Sequence, residues 1–124
     1  MSSHPAVFGL KAISLTLMLG ATGPALAASG YVVALVNRVL VTGDETFGGC
    51  MAALSVNPQN VLPSCQPWWV SFSCSGDFTD RVRSYRMLDV SELALATGKQ
   101  VQVFFRDDMK HNGYCFAHRI DVVR

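Results

Sequence analysis

Apolar and polar positions follow two different periods along this chain. Residues 31–43, YVVALVNRVLVTG, are rich in β-branched side chains and run into the turn-forming Thr42-Gly43-Asp44, which predicts a strand. A second strand is predicted over 47–56, FGGCMAALSV, where Gly48-Gly49 signals a bulge or a close backbone approach. Residues 57–67 hold three prolines and read as an irregular loop. A third strand follows at 68–74, WWVSFSC, and the chain turns through SGDFTD.

The period then changes. Val82, Tyr85, Leu88, Glu92 and Leu95 recur at intervals of three and four, with Met87, Val90 and Ala94 alongside. A helix is therefore expected over roughly 83–97, ended by Gly98 at C′. Beyond it, Val101, Val103 and Phe105 alternate with polar residues as in a strand. DDMKHNG, 107–113, reads as a turn carrying the Asn112-Gly113 hairpin signal, and GYCFAHRIDVV supplies the last strand. The strand order β-β-β-α-β-β predicts a mainly β, α+β domain. An OB-like five-stranded barrel fits best, and an open α+β sheet fits nearly as well.

The residues before this pattern are of another kind. Lys11 precedes an apolar run over 12–19, the chain loosens at 20–24, and Ala25 and Ala27 offer small residues where a signal peptidase requires them. Residues 1–27 are expected to be a signal peptide cleaved before Ala28, leaving 28–124 as a single secreted or periplasmic domain. The apolar run is too short for a transmembrane helix, which needs about 20 residues, so no membrane span is expected after cleavage. Removal of Lys11 leaves Lys+Arg equal to Asp+Glu. A neutral domain lacks the electrostatic footprint of a nucleic-acid binder. The arginines of DRVRSYR, 80–86, lie among Asp77, Asp80 and Asp89 and read as a locally paired, solvated face.

Cys50, Cys65, Cys74 and Cys115 form an even set in a small exported domain, which predicts two disulfides. Three pairings exist, and spacing does not choose among them. Zinc is disfavoured because no CxxC pair occurs, so no metal or other cofactor is expected.

Catalytic signals are weak. His111 and His118 are the histidines of the mature chain, and such a pair with a carboxylate would suit a small secreted hydrolase. His111 falls in a predicted polar turn, where a solvated ring is ordinary. His118 alternates with Phe116 and Ile120 and is expected on the more apolar face, as a structural histidine. No nucleophile elbow, zinc-protease helix or phosphate loop occurs. A binding role has more support. Trp68 and Trp69 are adjacent, so on a strand one ring enters the core and the other is exposed as a platform for a sugar or a protein. Trp68, Trp69, Phe104 and Tyr114 form the candidate aromatic surface, with Asp107 and Asp108 as its polar rim. A third reading is an enzyme inhibitor that uses the proline loop at 57–67.

Three features together resemble a known group: the exported chain in which Cys50 and Cys65 bracket one hairpin-and-loop, the Ala/Leu-rich helix running into TGKQVQVFF at 97–105, and the expected strand order of an OB-fold. The chain is similar to small uncharacterised secreted proteins of Gram-negative bacteria, and distantly to the B subunits of pentameric, subtilase-cytotoxin-type toxins, over about residues 43–105. The resemblance implies a glycan- or cell-surface-protein-binding module and assembly as a homo-oligomer, a pentamer in those toxins. It also implies the bridges Cys50–Cys65 and Cys74–Cys115. Met51 and Ala52 stand where the toxins carry an acidic residue, and Phe104 and Phe105 replace tyrosines, so sialic-acid specificity is not implied.

Overall fold

In the computed structural model, the described residues are 27–124 without a break and, before them, 2–5, 9, 13–14 and 16. The rest of the predicted leader lies outside the described residues. The domain is mainly β with one helix. Its elements are β1 (Ser29–Val41), β2 (Cys50–Leu54), β3 (Trp69–Ser71), α1 (Arg81–Thr97), β4 (Gln100–His111) and β5 (Tyr114–Val122), with a 3₁₀ turn at Pro58–Asn60.

β1 is long enough to serve two partners. Its first half pairs antiparallel with β4, from Ser29↔Arg106 to Leu35↔Gln100. After an irregularity between Val36 and Arg38 its second half pairs with β2, ending at Val41↔Cys50. β2 pairs antiparallel with β3, β3 meets β5 in parallel at Ser71↔Phe116, and β5 returns antiparallel to β4. The five strands thus close on themselves in the order β1-β2-β3-β5-β4. The elements follow one another along the chain as predicted, β-β-β-α-β-β, but the strand order in the sheet departs from that succession, because β5 and not β4 lies beside β3. α1 carries the chain past the place beside β3, and the tight β4–β5 turn folds β5 back into that gap.

Side-chain alternation decides the interior. Val32, Ala34 and Val36 of β1 point inward, as do Ala52, Val70, Val101 and Val103, and Phe72 and Phe105 are the largest fully buried residues. Asp80 caps α1 by accepting the Arg83 amide at 2.9 Å, and Gly98 ends it at φ 68°. The predicted stripe is rotated. Ser84, Leu88, Ser91 and Ala94 are buried, while Val82, Tyr85 and Leu95 are exposed. Small residues let the helix backbone approach the sheet, and the Ser84 hydroxyl donates to the Ser73 carbonyl at 2.8 Å. Arg83 pairs with Asp80 at 3.2 Å and Arg86 faces Asp89 at 3.9 Å, both on the exposed side.

Several predicted boundaries move, and β2 shortens from the predicted 47–56 to Cys50–Leu54. β3 is short because Trp68 and Ser73, at φ 69° and 58°, bound it outside strand geometry. β4 continues through Asp107 and Asp108 to His111, so the predicted seven-residue turn shrinks to Asn112-Gly113, at φ 51° and 84°.

The disulfides are Cys50–Cys74 and Cys65–Cys115, which corrects the pairing implied by the resemblance. Strand pairing explains it. The Phe72 amide donates to the Cys50 carbonyl at 3.2 Å, laying the end of β3 beside the start of β2. The Gln66 amide donates to the Gly113 carbonyl at 2.9 Å, laying the proline loop on the β4–β5 turn, where Cys65 meets Cys115. Each bridge is expected to contribute about 2–4 kcal/mol. Two disulfides fit an oxidising, non-cytoplasmic setting. Among the described residues no helix is long and apolar enough to cross a membrane.

Candidate functional site

The outer face of β1, β2 and β3 carries apolar side chains where a solvated strand would be polar. Arg38 and Leu40 project outward together, paired with Ala53 and Met51, and Ala53 in turn pairs with Trp69. Phe47 enters from the β1–β2 loop and Tyr114 from the first position of β5, their rings edge-on at 5.7 Å. Leu40, Phe47, Met51, Trp69 and Tyr114 line a shallow cleft of about 170 Å³. The Arg38 guanidinium lies 5.8 Å from the centre of the Trp69 ring, a cation–π contact that fixes one edge of the half-buried indole. Flat rings beside a guanidinium are suited to the apolar face and hydroxyls of a sugar, or to a partner's aromatic anchor.

The two tryptophans do not divide between core and solvent as expected. Val70 and Phe72 take the inward positions, Trp69 is on the outer face, and Trp68 lies outside the strand. Alternation never applied to Trp68. Its left-handed backbone is rare for a bulky residue, and it leaves the side chain 49% exposed.

The other candidates fall elsewhere. Phe104 stacks with Tyr31 at 5.4 Å, and the Arg119 guanidinium lies 4.7 Å from its ring centre. These three residues are cross-strand neighbours on β1, β4 and β5. Asp107 accepts the Ala28 amide at 3.0 Å and the Ser64 hydroxyl at 3.3 Å, so it fastens the start of β1 to the proline loop. Asp108 holds Arg106 in a bidentate pair at 2.5 and 2.6 Å, which lowers its carboxyl pKa and raises that of the guanidinium. Of the six predicted ligand contacts, Trp69 and Tyr114 share a cleft.

The histidines exchange their expected settings. His111 is buried, and its Nε2 lies 2.9 Å from the Ser73 hydroxyl. Its Nδ1 faces the Asp77 carboxylate at 3.9 Å, and the Phe78 ring packs on it at 4.4 Å. Burial lowers its pKa, while Asp77 and Glu45 act in the raising direction. Gly48, at φ 73°, packs against the ring edge and the Ser71 hydroxyl, so the predicted close approach is against His111. Serine, histidine and carboxylate thus stand in the order used by acyl-transfer enzymes. Yet Ser73 is fully buried, and its oxygen already accepts the Phe78 amide at 3.2 Å. A nucleophile there meets no substrate in this conformation; the group clamps the β3–α1 loop to β4. His118, by contrast, is exposed on β5.

A larger groove of about 550 Å³, which sequence reading missed, runs between α1 and the β4–β5 face. Its arginines come from segments far apart in the chain, and local pairing with aspartates hid them as ordinary surface.

No protein-family model matches this chain, and no curated protein or solved structure is found to match it.

Proposed function

We propose that the chain is an exported, OB-like binding module, toxin-B-subunit-like, that recognises a glycan through the cleft of Trp69 and Tyr114. The observation that carries this reading is the cluster of outward rings where β2, β3, the β1–β2 loop and the start of β5, beside the β4–β5 turn, converge. Five-stranded Greek-key barrels take oligosaccharides on that same face, between the same two loops.

Export is part of the proposal. Cleavage before Ala28 would leave its amine 3.0 Å from the Asp107 carboxylate, turning a hydrogen bond into an ion pair. The mass of the purified protein tests this: an N-terminus at Ala28 is expected. Assembly as a ring of about five protomers draws support from Tyr85, Leu93 and Leu95, exposed along one helix. Light scattering after size exclusion checks it, and a clean monomer removes the toxin-like part.

Glycan-array screening followed by tryptophan-fluorescence titration tests recognition. Trp69→Ala and Tyr114→Ala should each weaken binding about tenfold or more, while Phe104→Ala leaves it within about twofold. Capture of a cell-surface protein through the same two residues would make the ligand a protein. Binding indifferent to both substitutions sinks the site. The rival hydrolase reading now draws on the 2.9 Å Ser73–His111 pair rather than on His111 with His118. It requires an esterase activity that disappears in Ser73→Ala.

A further inference from the structure

The groove between α1 and the β4–β5 face has a divided lining. Its floor is apolar, formed by Phe78, Met87, Met109, Phe116 and Ile120, with the exposed Val82 at its rim. Phe116 and Ile120 are buried, and the rings of Phe78 and Phe116 lie 5.6 Å apart, so part of the floor is fixed. The two methionines can adapt to an irregular guest. About 550 Å³ lies within the range of roughly 300–1,000 Å³ typical of small-molecule sites.

The walls are cationic. α1 contributes Arg83 and Arg86, and the sheet contributes Arg106, His118 and Arg119, while no carboxylate lines the groove. Each arginine has an aspartate beside it, but Asp80, Asp89, Asp108 and Asp121 are not among the lining residues. Asp108 engages the Nε and one terminal nitrogen of Arg106, and Asp121 does the same for Arg119 at 3.1 and 2.8 Å. A guanidinium has five N–H donors, so each fork is held from one side with three donors left over. These arginines are oriented before any ligand arrives. The local potential is felt by His118, whose pKa is lowered by burial first and then by Arg106 and Arg119, against the smaller opposing pull of Asp108.

We propose that this groove is a second binding site, for an amphipathic anion: an apolar ring or chain resting on Phe78 and Phe116, with a carboxylate, sulfonate or phosphate head against Arg106 and Arg119. A neutral apolar guest would cover guanidinium donors without replacing their water, and a cation would meet a wall of like charge. An extended polyanion would find an apolar floor where it needs charge. The site is separate from the Trp69 cleft and does not depend on it.

The test uses the mature, oxidised protein and two fluorescent probes that share one ring system. 8-Anilino-1-naphthalenesulfonate carries the anion, and N-phenyl-1-naphthylamine lacks it. The sulfonate should bind the native protein, under conditions where cooperative unfolding is retained, about tenfold more tightly than the uncharged probe. Dodecanoate should displace it, whereas dodecanol should not, and salt at about 0.5 M should weaken it. Phosphate-headed and carboxylate-headed competitors of one chain length then identify the preferred head. Arg119→Gln should weaken binding several-fold. Met109→Glu, which puts a carboxylate at the half-buried edge of the floor, should abolish it. The methyl resonances of Met87 and Met109 should move on binding, and Trp69→Ala should change nothing. Equal affinity for the two probes overturns the proposal. So does binding that ignores both groove substitutions, or a stable oligomer that takes up neither probe.

Discussion

His111 and His118 stand on the two arms of one hairpin, and the fold uses them in opposite ways. Loss of water lowers the pKa of both, from the interior around His111 and from partial cover in the groove at His118, but the charges around them differ in sign. Asp77 and Glu45 pull His111 up, whereas Arg106 and Arg119 push His118 further down. His111 has a fixed hydroxyl partner, a ring packed on its face and a glycine against its edge. His118 is exposed on the wall of an open groove. The difference separates scaffold from surface. Damage around His111 should cost stability, and damage around His118 should cost ligand.

The largest effect is expected at the covalent end of the His111 region. Cys50–Cys74 joins the start of β2 to the loop that carries Asp77 and Phe78. Replacing both cysteines with alanine should remove about 2–4 kcal/mol, measured by denaturant unfolding. Arg83→Gln with Arg86→Gln should stay within about 0.5 kcal/mol, since both side chains are largely in water. If the arginine pair costs as much as the bridge, the division between scaffold and surface fails.

Two glycines sharpen the contrast at the next level. Gly48 and Gly98 have similar left-handed backbones, at φ 73° and 68°. A methyl at Gly98 meets open space, so Gly98→Ala should cost about 1 kcal/mol from conformation alone. A methyl at Gly48 would collide with the His111 ring and come within 2.6 Å of the Ser71 hydroxyl. Gly48→Ala should therefore cost at least about 2 kcal/mol and broaden the His111 ring signals in NMR spectra. Equal costs at the two sites would mean that His111 is not held as tightly as its contacts imply.

The sequence was most legible where one local rule acted alone. Asn112-Gly113 forced the hairpin, Gly98 ended the helix, and the alternation of Val101, Val103 and Phe105 named an inward face. It was least legible where distant segments meet. The disulfide partners depend on the β2–β3 register and on one hydrogen bond between Gln66 and Gly113, neither of which spacing encodes. The helical stripe was misread because Ser84 and Ser91 count as polar, yet they are buried by close packing and by hydroxyl bonds to backbone carbonyls. Asp107 and Asp108 looked like turn residues, but β4 continues through them. Their carboxylates are spent on Ala28 and Arg106, and are not left as the rim of an aromatic surface. Trp69 and Tyr114 were both legible as aromatic; only the closing of the sheet made them neighbours.

The smallest effect is also the most direct reading of the two histidines. Both have folded-state pKa values below the ordinary value of about 6.5, so between the two values the unfolded chain binds more protons than the native one. Their contribution to stability is whole above about pH 6.5 and is lost as pH falls through the folded values. His111 must give up a neutral, hydrogen-bonded place in the interior on protonation, whereas His118 protonates at a surface where water and salt screen it. Thermal unfolding measured at steps between about pH 7.5 and pH 5 should show the melting temperature falling on the acid side. His111→Gln, which keeps a partner for the Ser73 hydroxyl without a titrating ring, should flatten most of that fall at the expense of some stability at neutral pH. His118→Gln should leave most of it. A native protein whose acid limb is governed by His118 would mean that the groove, and not the clamp, is where this fold feels protonation.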